Sequence, residues 1–465
     1  MLDRVLGIVL IATAVAVVLR EWIGSEMAAL VGSAGVVVFL ALATPTARRS
    51  RQAFVAIGLV LMLAAFALRA DWVRIVLKGL EEGAFIATFF IALASLRNPA
   101  STSPAIERCG QYLASQPPGK RYLSLTIGGH LFALLLSYGS ITLLGGLTES
   151  IANREPNVEV REIRNRRMLL AIQRGFCASL LWSPLAFAIA ISTSIIPGSS
   201  WSGVAGLAIF HAALMTFIGW ALDTIYKPKL TASATASIAG ARQTQGSWRD
   251  LQPLVLLLAL LFAAVGTLEI LTGLRVIAVV MLIVPLISLG WIAIQVSGGA
   301  GPHLGLGGRL TKLAFSEFPS YRSELVLLVM AGVIGAIGGA LLKPLTAGHA
   351  IDFGIAPPWI ILVAMIWIIP LLGQAGMNPI LSVSLLAPLL PDPAAMGVSP
   401  NVVVLALTAG WSLAGATSPF TATTLLIGRL GHTTALKVGL VWNRSFVLIA
   451  GLALSASVAV ASIFV

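Results

Sequence analysis

The chain has 465 residues, 58% of them hydrophobic and 10% charged, with a mean hydropathy of +0.95, whereas a soluble domain carries about 25% charged residues. That composition excludes a water-soluble enzyme with a polar coat and places the chain in a lipid bilayer. The excess of Lys and Arg (30) over Asp and Glu (18) is read as loops held at the anionic cytoplasmic face rather than as a nucleic-acid footprint.

Arg4 and the apolar stretch from Val5 to Leu19 resemble a signal peptide, but Arg20 and Glu21 follow without a small-residue cleavage site. Residues 1–26 are therefore expected to form an uncleaved first helix. Apolar runs able to cross, or nearly so, lie at 5–19, 27–44, 53–68, 75–96, 169–195, 203–222, 251–271, 275–296, 323–343, 399–430 and 445–463, eleven in all. Two further apolar regions, 122–149 and 357–391, are interrupted by polar and small residues: Ser137-Tyr-Gly-Ser-Ile-Thr142 with Gly145-Gly146 in the first, and Gly373-Gln-Ala-Gly-Met-Asn378-Pro379 in the second. Their legs are too short to cross a hydrocarbon core of about 30 Å, so both are read as re-entrant helical hairpins. With the N-terminus cytoplasmic and the C-terminus outside, the basic segments around Arg48, Arg108, Arg154–Arg167, Lys227 and Arg309 all fall inside. Outer stretches keep only Arg20, Arg69, Arg74, Lys78, Arg275 and Lys343. A plain crossing at 122–149 would put Arg154–Arg167 outside. The fold class expected is an all-α polytopic membrane protein of the bacterial inner membrane.

Two copies of one module follow from this count. Residues 27–222 form the first repeat and 251–465 the second, joined by a Ser-, Thr-, Ala- and Gln-rich cytoplasmic linker at 223–250; an odd number of crossings inverts the second copy. Gly175-Phe176 and Ser183-Pro184 in the first recur with the same spacing as Gly410-Trp411 and Ser418-Pro419 in the second. A proline inside a membrane helix frees a carbonyl. The run 399–430 is about 48 Å as ideal helix, too long for one crossing, so it is read as two half-helices meeting near Thr417-Ser418-Pro419, with the hydroxyls of Thr421, Thr423 and Thr424 close by. Carbonyl ends suit sodium and amide ends suit a carboxylate. Broken helices in inverted repeats point to a secondary transporter with a midplane site.

This organisation resembles the ion transporter superfamily, whose divalent anion/sodium symporters have eleven spans and two hairpins in this order. The resemblance runs from about Met27 to Val465. In those symporters each hairpin tip carries Ser-Asn-Thr; here the tips read Ser140-Ile141-Thr142 and Gly376-Met377-Asn378-Pro379. The resemblance implies an elevator mechanism, in which hairpins and broken spans move against spans 2–4 and 7–9, which hold a homodimer. It implies that Ser137, Gly139, Ser140 and Thr142 with Ser183 and Pro184 form one half of a site, and Gln374, Gly376 and Asn378 with Thr417, Ser418, Pro419 and Thr421 the other.

The remaining chemistry is sparse. The acidic residues fall in loops or near span ends, which favours sodium over a proton as coupling ion; His130 and His211 are the candidate proton carriers. Arg174 is either a snorkelling side chain or a guide for an entering anion. Trp182, Trp411 and Trp442 are read as packing or interfacial residues. Ser101–Arg121 is amphipathic enough to lie at the interface as an arm, with Leu345–Pro358 as its shorter counterpart. Cys109 and Cys177 predict neither a disulfide nor a metal centre, and no cofactor is expected. The expected function is cation-coupled transport of a small organic or inorganic anion. An integral membrane enzyme on lipid-linked substrates and a channel or passive exporter are the alternatives.

Overall fold

In a computed structural model, residues 1–228, 231, 246–299, 304–347 and 356–464 are described. Most of the linker and of Leu345–Pro358 lies outside them. The described elements are helical. Nine helical segments among them are long and apolar enough to cross a membrane. The expected spans at 75–96 and 169–195 are not of that set, for two different reasons. The first is a 30-residue helix carrying Arg74, Lys78, Glu81, Glu82 and Arg97; the second is divided between the charge-rich helix Val158–Ser179 and the nine-residue Phe187–Ile195.

The chain divides into two compact units, each drawing segments from both halves of the sequence. The first unit comprises Met1–Thr102, Leu261–Ala356 and Ile380–Asp392. It contains α1 (Leu2–Ile23), α2 (Glu26–Ala43), α3 (Arg49–Leu68), α4 (Trp72–Ser101), most of α11 (Gln252–Thr272), α12 (Val276–Ser297), α13 (Leu306–Lys312) and α14 (Arg322–Ala347). Helix α1 ends on Gly24 in the left-handed conformation (φ 74°), and Ser25 caps α2 by accepting from the Ala28 N–H, so the chain reverses in two residues. Helix α4 is central: from Gly83 onward nearly every residue is buried, packed on α1, α2, α12 and α14.

At the end of α4 lies a polar knot that the charge pattern does not announce. Arg309, counted from the sequence as a loop residue, is 2% exposed. Its guanidinium donates to Gln295 Oε1 (2.7 Å), Asn98 Oδ1 (2.9 Å) and Thr102 Oγ1 (3.0 Å), and Asn98 Nδ2 donates to Glu317 Oε1 (2.6 Å). It ties α4, α12, α13 and the π-helical turn Leu313–Glu317 together.

The second unit comprises Ser103–Leu260, Pro357–Pro379 and Pro393–Val465. Its helices are α5 (Pro104–Ala114), α6 (Pro118–Leu136), α7 (Gly139–Ala152), α8 (Val158–Ser179), α9 (Phe187–Ile195), α10 (Trp201–Ile225), α15 (Pro358–Gln374), α17 (Pro400–Thr417), α18 (Ala422–Leu430) and α19 (Arg444–Phe464). Helix α5 is the amphipathic arm, burying Ile106, Cys109 and Leu113. Helices α6 and α7 form the first hairpin, broken at the expected tip. The basic segment Arg161–Arg167, taken from its charge as loop, is helical; α8 starts at Val158 because Asn157 accepts from the Val160 N–H and charged residues tolerate helix in water.

The second hairpin departs from the expected grouping. Its tip lies at Ala375–Asn378, but its legs belong to different units, α15 to the second and α16 (Pro379–Leu386) to the first. The reason is a glycine stripe on α14. A side chain on Gly335 would clash with Ser384, on Gly338 would press Leu385, and on Gly339 would clash with Pro388, so α16 and the turn after it seat closely on that face.

Two measurements test these placements. Gly175 faces the backbone of α6, where an added Cβ would lie 2.0 Å from the Thr126 carbonyl oxygen, whereas Gly146 faces open space. Gly175→Ala should lower the thermal midpoint by the equivalent of about 1–3 kcal/mol of overpacking, and Gly146→Ala should leave it unchanged. Burial pushes the Cys109 thiol up to about 12, and Cys177 is fully buried. Neither native cysteine should react with an impermeant maleimide at pH 7.5. Glu162→Cys on the exposed side of α8 should then be labelled in inside-out vesicles and spared in intact cells.

Candidate functional site

The site is built on two helix interruptions in the second unit, one between α8 and α9 and one between α17 and α18. Equivalent residues are 235 positions apart, and the hydrogen bonds repeat with them. Ser183 N–H donates to Ser179 O and Ser418 N–H to Ala414 O. The Leu185 N–H donates to Ser183 Oγ (3.1 Å) and the Phe420 N–H to Ser418 Oγ (3.3 Å). The Ala186 N–H donates to Ser183 O and the Thr421 N–H to Ser418 O. The half-helices that follow, Phe187–Ile195 and Ala422–Leu430, start and end at equivalent residues. In each break a Ser-Pro pair closes the first helix, and the serine side chain replaces a lost backbone partner.

The approach of each hairpin's first leg is matched as well. Gly175 sits against the α6 backbone and Gly410 against the Met365 carbonyl and Ile369 of α15, with no room for a Cβ. The two segments meet at equivalent positions: Ser412 Oγ donates to the Cys177 carbonyl (2.7 Å), and a Cβ added at Gly415 would lie 3.3 Å from Cys177 Sγ and close to Leu180. These contacts lie six residues before each break.

The breaks differ in what lines them. In the second, Thr421 Oγ1 lies 2.9 Å from Ser418 O, 2.9 Å from Thr423 Oγ1 and 3.1 Å from Thr424 Oγ1. Thr424 Oγ1 donates to Ser418 O, and Thr423 Oγ1 to Gly415 O. Ser418 Oγ donates to Gly373 O of α15 (2.6 Å), and Gln374 Nε2 to Thr417 Oγ1 (3.4 Å). Gly376, at φ 90°, turns the hairpin tip over Phe420; a β-carbon there would strain the backbone. Gln374, Gly376, Thr417, Ser418, Pro419 and Thr421 are thus brought together, with Asn378 half-buried on the same tip.

In the first break, Ser183 and Pro184 are buried, and Trp182 faces an apolar cleft of about 490 Å³ with Leu123, Ile127, His130, Phe217 and Trp220. His130 Nε2 accepts from Trp182 Nε1 (2.9 Å), and Trp201 Nε1 donates to the Trp182 carbonyl (2.7 Å). His211 pairs with Ser457 (2.8 Å). The residues of the first hairpin tip gather among themselves. Ser140 Oγ donates to Ser137 O and Thr142 Oγ1 to Gly139 O, with Thr142 exposed and Ser137 held at φ 49°. The tip meets α8 where Tyr138 stacks on Phe176 (5.1 Å), rather than at Ser183.

Arg174 neither snorkels nor hangs free. It is 6% exposed, lies over the Phe446 ring (4.6 Å), and donates to Asn443 Oδ1 (3.1 Å), Tyr122 Oη (2.9 Å) and Trp442 O (3.5 Å). All three partners are neutral. Asn443 in turn donates to Gln173 Oε1 (2.9 Å) and to the carbonyls of Ala416 (3.2 Å) and Val438 (3.3 Å). Gln173 Nε2 reaches the carbonyls of Gly415 (3.5 Å) and Ala416 (3.4 Å). The π-helical turn Val438–Trp442 presents Asn443, and Gly439 of that turn presses on the Thr417 carbonyl. Gln173 and Asn443 are candidate site residues that the sequence reading missed. Gln173, a buried amide one residue before Arg174 in an otherwise apolar run, was the available signal. Asn443→Ala should remove the shared partner of Arg174, Gln173 and Ala416 O, lowering stability by about 3 kcal/mol as buried groups lose their partners, read as a drop in the thermal midpoint of purified protein.

No family model and no curated protein matches the sequence. Solved structures do. The Alcanivorax borkumensis YdaH transporter, described as having an unusual topology, aligns with a TM-score of 0.58 at 16% identity, over 89% of this chain and 97% of that one. Neisseria gonorrhoeae MtrF, described as illuminating a class of antimetabolite efflux pumps, aligns with a TM-score of 0.58 at 14% identity, over 88% of this chain and 94% of that one. The chain therefore has the fold of these membrane transporters.

Proposed function

We propose that the protein is a secondary active transporter that moves a small anionic solute at the expense of a cation gradient, with sodium as the favoured cation. The observation that carries this reading is the pair of equivalent helix breaks, one of them lined by hydroxyls and carbonyls, that follow two helices touching at Cys177 and Ser412. At the second break the carbonyl end of α17 faces the amide end of α18, so a cation and an anion each find a favourable half-charge there. Arg174 adds a buried positive charge with neutral partners, which favours an anionic solute.

The resemblance to ion transporter superfamily symporters supports an elevator motion of the second unit as part of the reading, within a homodimer in the bacterial inner membrane. Export is a second form of the same reading, favoured by the description of MtrF as one of a class of efflux pumps; counter-movement of the cation would then drive the solute outward. A lipid-active enzyme is the less favoured reading, because the fold is shared with transporters.

Proteoliposomes test this. A sodium gradient should drive saturable accumulation or extrusion of an anionic solute, with counterflow, and collapse of the gradient should abolish it. Arg174→Gln should cut the rate at least tenfold while membrane insertion persists. A flux that neither saturates nor shows counterflow would identify a channel.

A further inference from the structure

The apolar cleft beside Trp182 has two unlike ends. A Cβ added at Gly219 of α10 would lie 3.1 Å from Tyr122 Oη of α6, whereas Trp201, where α10 begins, is bonded to Trp182, the partner of His130 farther along α6. The two helices therefore run antiparallel, with Leu123 and Trp220 at one end of the cleft and His130 and Trp182 at the other. From Leu123 to His130 is about 10 Å of helix.

The walls suit a hydrocarbon chain. Leu123, Ile127, Ile209 and Phe217 are exposed along it, and at the inner end the Trp182 and His130 rings stack (5.8 Å) while their ring nitrogens satisfy each other (2.9 Å). That end offers ring faces, so a polar guest would be desolvated there without return. The opposite end is basic. Lys120 stands one turn before Leu123 on the same face of α6, Arg121 follows it, and Lys227 lies just past α10. Arg167 is bonded twice to Asp223 (2.8 and 2.6 Å), which cancels that pair. Arg121 Nε is held by the neutral Gln116 carbonyl (2.7 Å), and neither Lys120 nor Lys227 has an ion-pair partner among the described residues. The tilted Phe217 and Trp220 rings (5.9 Å) flank this end, as aromatic side chains do at a headgroup layer.

The geometry points to a lipid site: the cleft takes one acyl chain of an anionic phospholipid, with the chain end against Trp182 and the phosphate at Lys120, Arg121 and Lys227. Uncompensated basic groups beside a groove between membrane helices recognise such headgroups, and the apolar walls hold the chain. Trp182 immediately precedes Ser183-Pro184, so the chain end packs against the residue that opens the first break. The site depends on neither the solute nor the coupling ion.

The test is native mass spectrometry of the purified full-length protein in detergent, titrated with phosphatidylglycerol or with phosphatidylcholine of the same chain length. Wild type should bind phosphatidylglycerol more tightly than phosphatidylcholine by about fivefold or more. Lys120→Gln and Lys227→Gln should each weaken phosphatidylglycerol about fivefold and leave phosphatidylcholine unchanged. Ala213→Trp, which fills the cleft from an exposed position, should weaken both lipids about tenfold. Ile209→Trp, from the same wall, carries that arm if the first variant does not fold. Equal affinity for the two lipids, or lysine variants without effect, would overturn the headgroup assignment. Unaltered lipid binding in the tryptophan variants would overturn the cleft as the site, and loss of transport in them with lipid binding intact would give the cleft to the solute instead.

Discussion

Every feature of the second unit answers one constraint: a helix interrupted inside hydrocarbon must find partners for its freed backbone groups without water. The two breaks meet that constraint differently. In the first, the backbone closes on itself and Trp201 takes the Trp182 carbonyl. In the second, the carbonyls of Gly415, Ala416 and Ser418 are met by Gln173, Asn443 and three threonine hydroxyls. The first solution is fixed packing. The second uses side-chain amides and hydroxyls.

Arg174 belongs to the same logic. A buried guanidinium paired with a carboxylate would be electrically silent; one held by an amide, a phenol and a carbonyl keeps its field. Its position is set by Asn443, which also holds Gln173 and the Ala416 carbonyl. The charge and the end of α17 are therefore linked through one amide side chain, so a displacement of either is transmitted to the other over two hydrogen bonds. The π-helical turn before Asn443 makes this link possible: its wider spacing brings Gly439 onto the Thr417 carbonyl while aiming Asn443 inward.

The parts legible in the sequence are those written in local punctuation. Ser-Pro pairs at matched spacing mark both breaks, and the Ser137–Thr142 and Gln374–Asn378 stretches mark both hairpin tips, because helix interruption is a property of a few consecutive residues. The regions of charge and apolar run length also give the span count to within the two cases that charge and fracture remove. What stays hidden is long-range. Gln173 and Asn443 are 270 residues apart, and Arg309 reads as an ordinary loop cation until Asn98, Thr102 and Gln295 are brought to it by three different helices. The assignment of α16 to the first unit likewise depends on Gly335, Gly338 and Gly339 of a helix that precedes it in the sequence.

The two break segments share a backbone pattern, so their chemistry is read most clearly where they disagree. Here the shared elements, Gly175 with Gly410, Cys177 with Ser412 and Ser183 with Ser418, are those that fix helix approach and the break itself; they must be kept in both copies because each copy has to fold. Trp182, Ala186, Ala188 and Ile189, which stand where the second segment has Thr417, Thr421, Thr423 and Thr424, change the lining, and none of the four is needed to make the break. With Trp182, Ala186, Ala188 and Ile189 in place of hydroxyls the hydrogen-bond pattern of the first break is the same, which separates two contributions in one molecule: the serine and proline shape the interruption, and the residues around it set its polarity.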